Sequence, residues 1–180
     1  MKKLNFKVLK TDIIHKGRVF DLKIDEIIYD SGNKGYRETA VHPGGAVVLP
    51  VKENGDIIFV NQFRFPHDQF VLELPAGKLD FNEDPFICAK RELTEETGFS
   101  SENISKLGAI FTTPGFSNEI LHIYLAKNLI EGKHNREEGE FGMEVVSLSL
   151  KEAEEKIKSG EIVDAKTICG ILYYKLSLDN

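Results

Sequence analysis

The sequence is poor in cysteine and has no long apolar run. Only two of its 180 residues are cysteine, Cys88 and Cys169, and neither belongs to a CxxC pair or a Cys/His cluster. Two isolated thiols form no disulfide framework and indicate no zinc site. The start of the chain lacks the apolar stretch of a signal peptide, and no segment is long enough to span a bilayer. These absences favour a cytoplasmic protein without a membrane partner.

Positive charge is also in deficit. The chain has 23 basic against 29 acidic residues and a net charge of −6, which disfavours general binding to a nucleic-acid backbone. The apolar share of 41% and the charged share of 29% are typical of a globular protein. A chain of this length is long enough to bury its own core. We therefore expect one ordinary domain with a small appendage and no nucleic-acid partner.

The first 42 residues have the pattern of a small antiparallel sheet. Apolar and polar residues alternate in short runs, and residues 30–35 have the composition of a hairpin loop. Such a sheet is marginally stable alone, so it must pack on something. We expect this sheet to occupy residues 1–42 and a second domain to occupy residues 43–180.

The second part alternates predicted strands with predicted helices. Strands are predicted at residues 46–51, 56–63, 71–74, 107–112, 121–127 and 144–148, and helices at residues 85–97, 150–159 and 164–175. Strands with interspersed helices on a mixed sheet predict an α/β sandwich.

The first of these helices has clear end signals. Asp84 is expected to cap its N-terminus with Pro85 at the first helical position, and Gly98 suits a C-terminus that needs positive φ. Its inward stripe is predicted to contain Phe86, the stem of Lys90, Leu93 and Thr97.

The same helix gathers three carboxylates. Glu92, Glu95 and Glu96 are spaced so that they share one face, which we expect to point away from the apolar stripe. Because like charges at this spacing repel, a helix gains no stability from them. A hard cation such as Mg²⁺ relieves the repulsion, since it binds carboxylates, waters and substrate phosphate. The alternative is an exposed acidic patch. Arg91 can pair with Glu95 one turn away.

Here the sequence resembles a known family. The pattern Gly77-x5-Glu83-x7-Arg91-Glu92-Leu93-x-Glu95-Glu96-x-Gly98-Phe99 matches the Nudix box at every defined position. The resemblance implies an α/β/α sandwich with a mixed sheet, in which a loop–helix–loop binds Mg²⁺, with Mn²⁺ as an alternative. It also implies hydrolysis of a diphosphate joined to a second group.

The resemblance also assigns roles within the box. It implies that Glu92 and Glu96 are the main metal ligands, together with the backbone carbonyl of Ala76. Glu95 would ligate an additional ion and is included among the catalytic candidates. Glu83 and Arg91 would brace the box by pairing.

Four features outside the box resemble the ADP-ribose pyrophosphatase branch. They are Pro114, the segment 72–78, Gln62-Phe63-Arg64, and Arg37-Glu38 ahead of residues 42–46. The resemblance implies that Arg64 reaches a substrate phosphate, that Arg37 and Glu38 contact substrate across a subunit boundary, and that Glu119 is a polar substrate-side residue. The alternatives are that Arg64 pairs with a carboxylate at the edge of the core, that Arg37 is solvated, and that Pro114 is a plain turn proline.

The general base is expected in an acidic loop ahead of the last predicted strand. The candidates are Glu137, Glu138 and Glu140, with Glu138 preferred. A mobile loop suits a base that closes on bound substrate. The alternative is a solvated run of charge.

The branch also implies a homodimer in which the N-terminal sheet exchanges with, or packs over, the partner and helps to cover the adenine. Phe20 or Tyr29 is a candidate for stacking on the adenine ring, and the alternative is that either belongs to the core. The expected reaction is Mg²⁺-dependent hydrolysis of ADP-ribose to AMP and ribose 5-phosphate. The alternatives are the same reaction on GDP-mannose or a dinucleotide, and a non-catalytic module that senses ADP-ribose.

Overall fold

The computed structural model describes residues 5–133 and 142–178 and divides the chain into two compact units. The first unit contains the residues up to Gly44 together with Phe111–Ile120, and the second contains Gly45–Ile110 and the residues from Leu121 onward. The first unit therefore includes a segment, Phe111–Ile120, that the sequence-based division places in the second domain.

The first unit is built on an antiparallel sheet. Its strands follow one another in space in the order of the chain, and they are β1 (Phe6–Lys16), β2 (Asp21–Tyr29) and β3 (Lys34–Val41). The turn between β2 and β3 contains Gly32 at φ 85°, a left-handed conformation that glycine adopts without strain. The predicted N-terminal antiparallel sheet is confirmed, and β1 is a single long strand where the sequence suggested short runs.

The second unit contains a mixed sheet and two smaller antiparallel sheets. The mixed sheet has the order β7-β4-β10-β9, with strands β4 (Gly45–Pro50), β7 (Ala76–Lys78), β9 (Asn103–Phe111) and β10 (Ile120–Lys127). The smaller sheets are β12-β5-β6 and β11-β8, with strands β5 (Ile57–Arg64), β6 (Gln69–Glu73), β8 (Phe99–Ser100), β11 (Ile130–Glu131) and β12 (Glu144–Leu148). Strand β4 runs parallel to β10 and antiparallel to β7.

Three helices, α1 (Pro85–Thr97), α2 (Leu150–Ser159) and α3 (Ala165–Leu178), cover the mixed sheet. Alternate residues of β4 point to opposite faces: Ala46 and Val48 pack with α1, whereas Val47 and Leu49 share a core with α2, α3 and β5. With helices on both faces of a mixed sheet, the predicted α/β sandwich is confirmed.

The helix ends follow the predicted signals. Asp84 accepts a hydrogen bond from the backbone N–H of Phe86 at 2.8 Å, and Gly98 ends α1 at φ 78°. Ser149 and Glu152 form a capping box at the start of α2. Helix α3 continues to Leu178, three residues beyond the predicted end. In the described part of the chain, none of the helices has the length and apolar character needed to cross a membrane.

One buried hydrogen bond joins the segment between β6 and β7 to α3. The backbone N–H of Leu74 donates to Oγ1 of Thr167 at 2.8 Å, and both residues are fully buried. Leu74 lies between β6 and β7, so this bond fixes the point at which the chain turns into β7.

Candidate metal and substrate site

Helix α1 buries two carboxylates in addition to part of its predicted inward stripe. Leu93 and Thr97 are buried as expected, but Phe86 is 36% exposed and meets Tyr124 edge-on. Glu92 and Glu96 are instead buried, at 6% and 2% exposure. Glu92 and Glu96 are buried because they pack against the short strand β7, so the alternative of an exposed acidic patch is wrong for these two residues.

The carboxylates of Glu92 and Glu96 are held against β7 by two close approaches. A Cβ atom at Gly77 would lie 1.7 Å from Oε1 of Glu92, so only glycine leaves room for that carboxylate. Oε2 of Glu96 accepts a hydrogen bond from the backbone N–H of Ala76 at 3.1 Å. The structure thus brings together Ala76, Glu92 and Glu96, three of the four predicted metal ligands.

Arg91 pairs with three acidic residues of the box, which are Glu83, Glu92 and Glu95. Its Nε and Nη2 atoms each donate to Glu83 at 3.0 Å, and its Nη1 donates to Glu92 at 2.6 Å and to Glu95 at 2.9 Å. The hydrogen bonds from Arg91 lower the pKa of Glu83 to about 2, and the same bonds raise the pKa of Arg91. The predicted bracing pair of Glu83 and Arg91, and the pairing of Arg91 with Glu95, are confirmed.

The donors of this patch fit a hard divalent cation. Glu92 and Glu96 supply carboxylate oxygens and Ala76 a backbone carbonyl, the oxygen ligands that Mg²⁺ and Mn²⁺ prefer. Over residues 5–133 and 142–178, no three His, Cys, Asp or Glu side chains are grouped as a complete metal centre. Two carboxylates and a carbonyl would leave the other coordination positions to water and substrate oxygens, as is usual for Mg²⁺.

A second cluster of charges includes Arg64, the last residue of β5, and Glu73, the last residue of β6. Arg64 makes a two-pronged ion pair with the buried side chain of Glu73, with Nε–Oε1 2.7 Å and Nη2–Oε2 2.6 Å. Lys166 binds the same carboxylate and lies 3.0 Å from Asp164. Burial raises the pKa of Glu73, but its bonds to Arg64 and Lys166 outweigh burial and leave the pKa below its ordinary value. Arg64 thus pairs with a carboxylate of the core edge, the alternative that its sequence context left open.

This charge cluster lines a cavity of about 570 Å³, and His67 and Gln69 also line it. The negative charge of Glu96 contributes to the raised pKa of Arg64, after the larger effect of the hydrogen bond to Glu73. The cavity therefore lies within electrostatic range of the carboxylate patch on α1.

Glu73 and Lys166 were not among the sequence-based candidates. Glu73 stands in the segment 72–78, where a carboxylate in an otherwise apolar run, Val71-Leu72-Glu73-Leu74, is the one available signal. Lys166 is 93 residues away in the chain and belongs to no motif.

In the first unit, Arg37 is held against Tyr29. Its Nη1 donates to the carbonyl oxygen of Tyr36 at 2.7 Å, its Nη2 donates to the Tyr29 hydroxyl, and its guanidinium lies 5.8 Å from the centre of the Tyr29 ring. Glu38 is exposed on the same strand, opposite Ile24 of β2. Phe20 is 47% exposed and so is not a core residue.

Pro114 lies in a turn that is joined to the end of β3. The N–H groups of Phe116 and Ser117 donate to the carbonyl of Thr113, and the N–H of Ala40 donates to the carbonyl of Phe116. In the same unit, Glu119 accepts a hydrogen bond from the Thr112 hydroxyl at 2.7 Å, and its other oxygen lies 3.2 Å from Nδ1 of His42.

The three candidates for the general base, Glu137, Glu138 and Glu140, lie outside the described residues. The nearest described element is β12, whose first residue, Glu144, is paired with Asn61 of β5, the strand that ends at Arg64.

Comparisons with known proteins agree with this geometry. A model of the NUDIX domain matches residues 41–169. The chain is 40% identical to the ADP-ribose pyrophosphatase of Bacillus subtilis (98% of this chain, 96% of the relative) and 39% identical to the methanol dehydrogenase activator of Bacillus methanolicus (94% and 92%). It is 34% identical to the GDP-mannose pyrophosphatase of Yersinia enterocolitica (83% and 76%).

A solved structure described as an ADP compounds hydrolase has the same fold. Its TM-score is 0.86 at 17% identity, over 99% of this chain and 97% of the other. The family model covers most of the chain, the Bacillus subtilis relative covers nearly all of it, and Nudix ADP-ribose pyrophosphatases are metal-dependent hydrolases. The chain therefore belongs to the Nudix family of hydrolases.

Proposed function

We propose that this protein hydrolyses the diphosphate bond of ADP-ribose to give AMP and ribose 5-phosphate, with Mg²⁺ as the metal and Mn²⁺ as a substitute. The observation that carries the proposal is the pair of buried carboxylates, Glu92 and Glu96, held against the backbone of Ala76 and Gly77. Two carboxylates buried one helical turn apart repel each other, and a divalent cation relieves that repulsion.

The metal ligands in this proposal are Glu92, Glu96 and the carbonyl of Ala76, with Glu95 available for an additional ion. A bound divalent metal would neutralise phosphate charge and lower the pKa of a coordinated water. Arg91 holds Glu92 and Glu95 in place from one side, while Glu83 anchors Arg91 from the other. Arg91 is therefore a positioning residue for the carboxylates.

We assign the diphosphate to Arg64, because a guanidinium matches the oxygens of a phosphate and this one lines the cavity near Glu96. We further propose that Arg37, Glu38, Pro114 and Glu119 contact the rest of the substrate. These four assignments rest on the resemblance to the ADP-ribose branch.

The proposed general base is Glu138, with Glu137 and Glu140 as the other candidates. An acidic residue close to the metal would accept the proton of the attacking water. This assignment rests on the position of the three residues ahead of β12.

We also propose a homodimer in which a second copy covers β1. Strand β1 carries several exposed apolar side chains, including Val8, Leu9, Ile13 and Ile14 at 45–58% exposure. Monomeric proteins rarely leave so many neighbouring apolar side chains in water, and a two-fold axis lets one such surface cover another. Sedimentation equilibrium measures the mass directly, and a monomer at micromolar concentration would contradict this proposal.

The second candidate substrate is a nucleotide sugar or a dinucleotide. It is favoured by the 34% identity with a GDP-mannose pyrophosphatase, since the box that both chains share fixes the reaction and not the second group. A sensing role without catalysis is less well supported, because Glu92, Glu95 and Glu96 are all present.

Product identification separates these possibilities. The purified protein and Mg²⁺ are incubated in parallel with ADP-ribose, GDP-mannose, NADH and a dinucleoside polyphosphate, and the products are separated by chromatography. We expect AMP and ribose 5-phosphate from ADP-ribose, and no product after addition of a chelator. GMP and mannose 1-phosphate as the main products would establish the second candidate, and no product from any of the four would favour the sensing role.

A further inference from the structure

The cluster formed by Arg64, Glu73, Lys166 and Asp164 holds two cations around one buried carboxylate. The side chain of Glu73 is 3% exposed, and both Arg64 and Lys166 bind its Oε2 atom. One cation is enough to compensate a buried carboxylate, and leaving it with none is strongly destabilising. The second cation therefore has a role beyond the pairing of Glu73.

The pKa of Arg64 is also raised by the negative charge of a second carboxylate of the cluster, Asp164. The Oδ2 atom of Asp164 accepts the backbone N–H of Thr167 at 2.9 Å, at the N-terminus of α3. The N-terminus of a helix carries a partial positive charge, which compensates an acidic residue placed there. The helix therefore stabilises Asp164, and the 3.0 Å contact of Asp164 with Lys166 fixes the position of the lysine.

Arg64 is the outermost member of the cluster. Its side chain is 38% exposed, compared with 12% for Lys166. Glu73 occupies the Nε and Nη2 atoms of Arg64, and across residues 5–133 and 142–178 no other acceptor bonds to this side chain. The Nη1 edge of Arg64 can therefore donate to an anion in the cavity that Arg64 lines.

We propose that Lys166 is a positioning residue for Arg64: by sharing Glu73, it weakens the hold of this carboxylate on Arg64, which can then bind an anionic oxygen of the substrate. If Arg64 were the only partner of Glu73, the carboxylate would cancel its charge and hold it in place. With Lys166 present, Arg64 can bind a phosphate while Glu73 keeps a cation. This proposal rests on the proposed function, in which Arg64 binds the diphosphate.

The first test is steady-state kinetics on ADP-ribose with Lys166→Met. We expect KM to rise on the order of tenfold, with kcat within about twofold, because ground-state attraction for the diphosphate is what is lost. Lys166→Arg retains the charge and should restore most of the affinity. The control is Lys175→Met on the same helix, which removes an exposed pair with Glu154 at 2.5 Å and should leave both constants unchanged.

A second variant separates action through Glu73 from direct contact with the substrate. In a Glu73→Gln background no carboxylate forms an ion pair with Arg64, so adding Lys166→Met should raise KM by less than about twofold. The double variant also contains no unpaired buried charge at this position, so it is expected to fold, as thermal denaturation would show. A KM increase as large as that of Lys166→Met alone would mean that Lys166 acts without Glu73, and would overturn the proposal.

Calorimetric titration with inorganic pyrophosphate and Mg²⁺ provides a readout that does not depend on turnover. If pyrophosphate affinity falls on the order of tenfold in Lys166→Met and recovers in Lys166→Arg, the positioning role stands even when ADP-ribose is not hydrolysed. Hydrolysis of ADP-ribose with unchanged KM and unchanged pyrophosphate affinity in Lys166→Met would refute the role and leave the proposed function intact. Absence of pyrophosphate binding by the wild type would also refute it.

Discussion

Replacement of Gly77 by alanine tests the placement of the Glu92 carboxylate most directly. The added Cβ would lie 1.7 Å from Oε1 and 2.6 Å from Oε2 of Glu92. Since non-bonded heavy atoms come no closer than about 3.5 Å without repulsion, the carboxylate must move by roughly 2 Å. Glu92 can make this move by rotating its side chain, so the backbone can stay in place.

The expected effect is large on activity and small on folding. A displacement of about 1 Å in a catalytic group can lower the rate on the order of a hundredfold, so we expect kcat with ADP-ribose to fall by at least that factor. The shift also moves Glu92 away from Arg91, now 2.6 Å distant. Calorimetric titration should show weaker Mg²⁺ binding, while circular dichroism should show a retained fold.

The matched control is Gly108→Ala, which introduces a clash elsewhere. Its Cβ would lie 2.7 Å from the ring of Tyr173, so we expect a loss of about 1–3 kcal/mol in the free energy of unfolding. The kcat of the folded fraction should be unchanged. Wild-type kcat and wild-type Mg²⁺ affinity in Gly77→Ala would refute the assignment of Glu92 as a metal ligand.

Three other changes probe the remaining groups of the site. Glu96→Gln should remove nearly all turnover with the fold retained by circular dichroism, and wild-type turnover would contradict its role as a metal ligand. Glu83 has its pKa lowered to about 2, so its pairing stabilises the fold above about pH 4.5 and loses this contribution as the pH falls towards 2. Urea unfolding of wild type and Glu83→Gln should therefore differ at neutral pH by on the order of 2 kcal/mol more than at pH 2.5, and a pH-independent difference would argue against the low pKa. Among Glu137, Glu138 and Glu140, changing the true base to glutamine should lower kcat much more than KM, whereas small effects at all three would place the base elsewhere.

The local features of the fold could be predicted from the sequence because their causes are local. Asp84 and Gly98 mark the ends of α1 through capping and positive φ, which depend on a few neighbouring residues. The spacing of Glu92 and Glu96 within one helix likewise places them together without knowledge of the fold. For the same reason, the pairing of Arg91 with Glu95 at one helical turn was predictable.

Features that depend on tertiary contacts could not be predicted in this way. The burial of Glu92 and Glu96 was not predicted, because β7 covers them and apolar periodicity does not reveal that contact. The ion pair between Lys166 and Glu73 joins residues 93 positions apart. Nothing near either residue indicates that the other lies beside it.

The hydrogen bond between Leu74 and Thr167 has a consequence for how the protein is made. Domains begin to fold while synthesis proceeds from the N-terminus, and contacts between distant residues form only when both are available. The turn into β7, which carries Ala76 and Gly77, is held by Thr167 and so lacks this support until α3 has left the ribosome. A nascent chain would therefore reach its metal-binding form only after α3 has emerged, and pausing before α3 would prolong the life of an inactive intermediate.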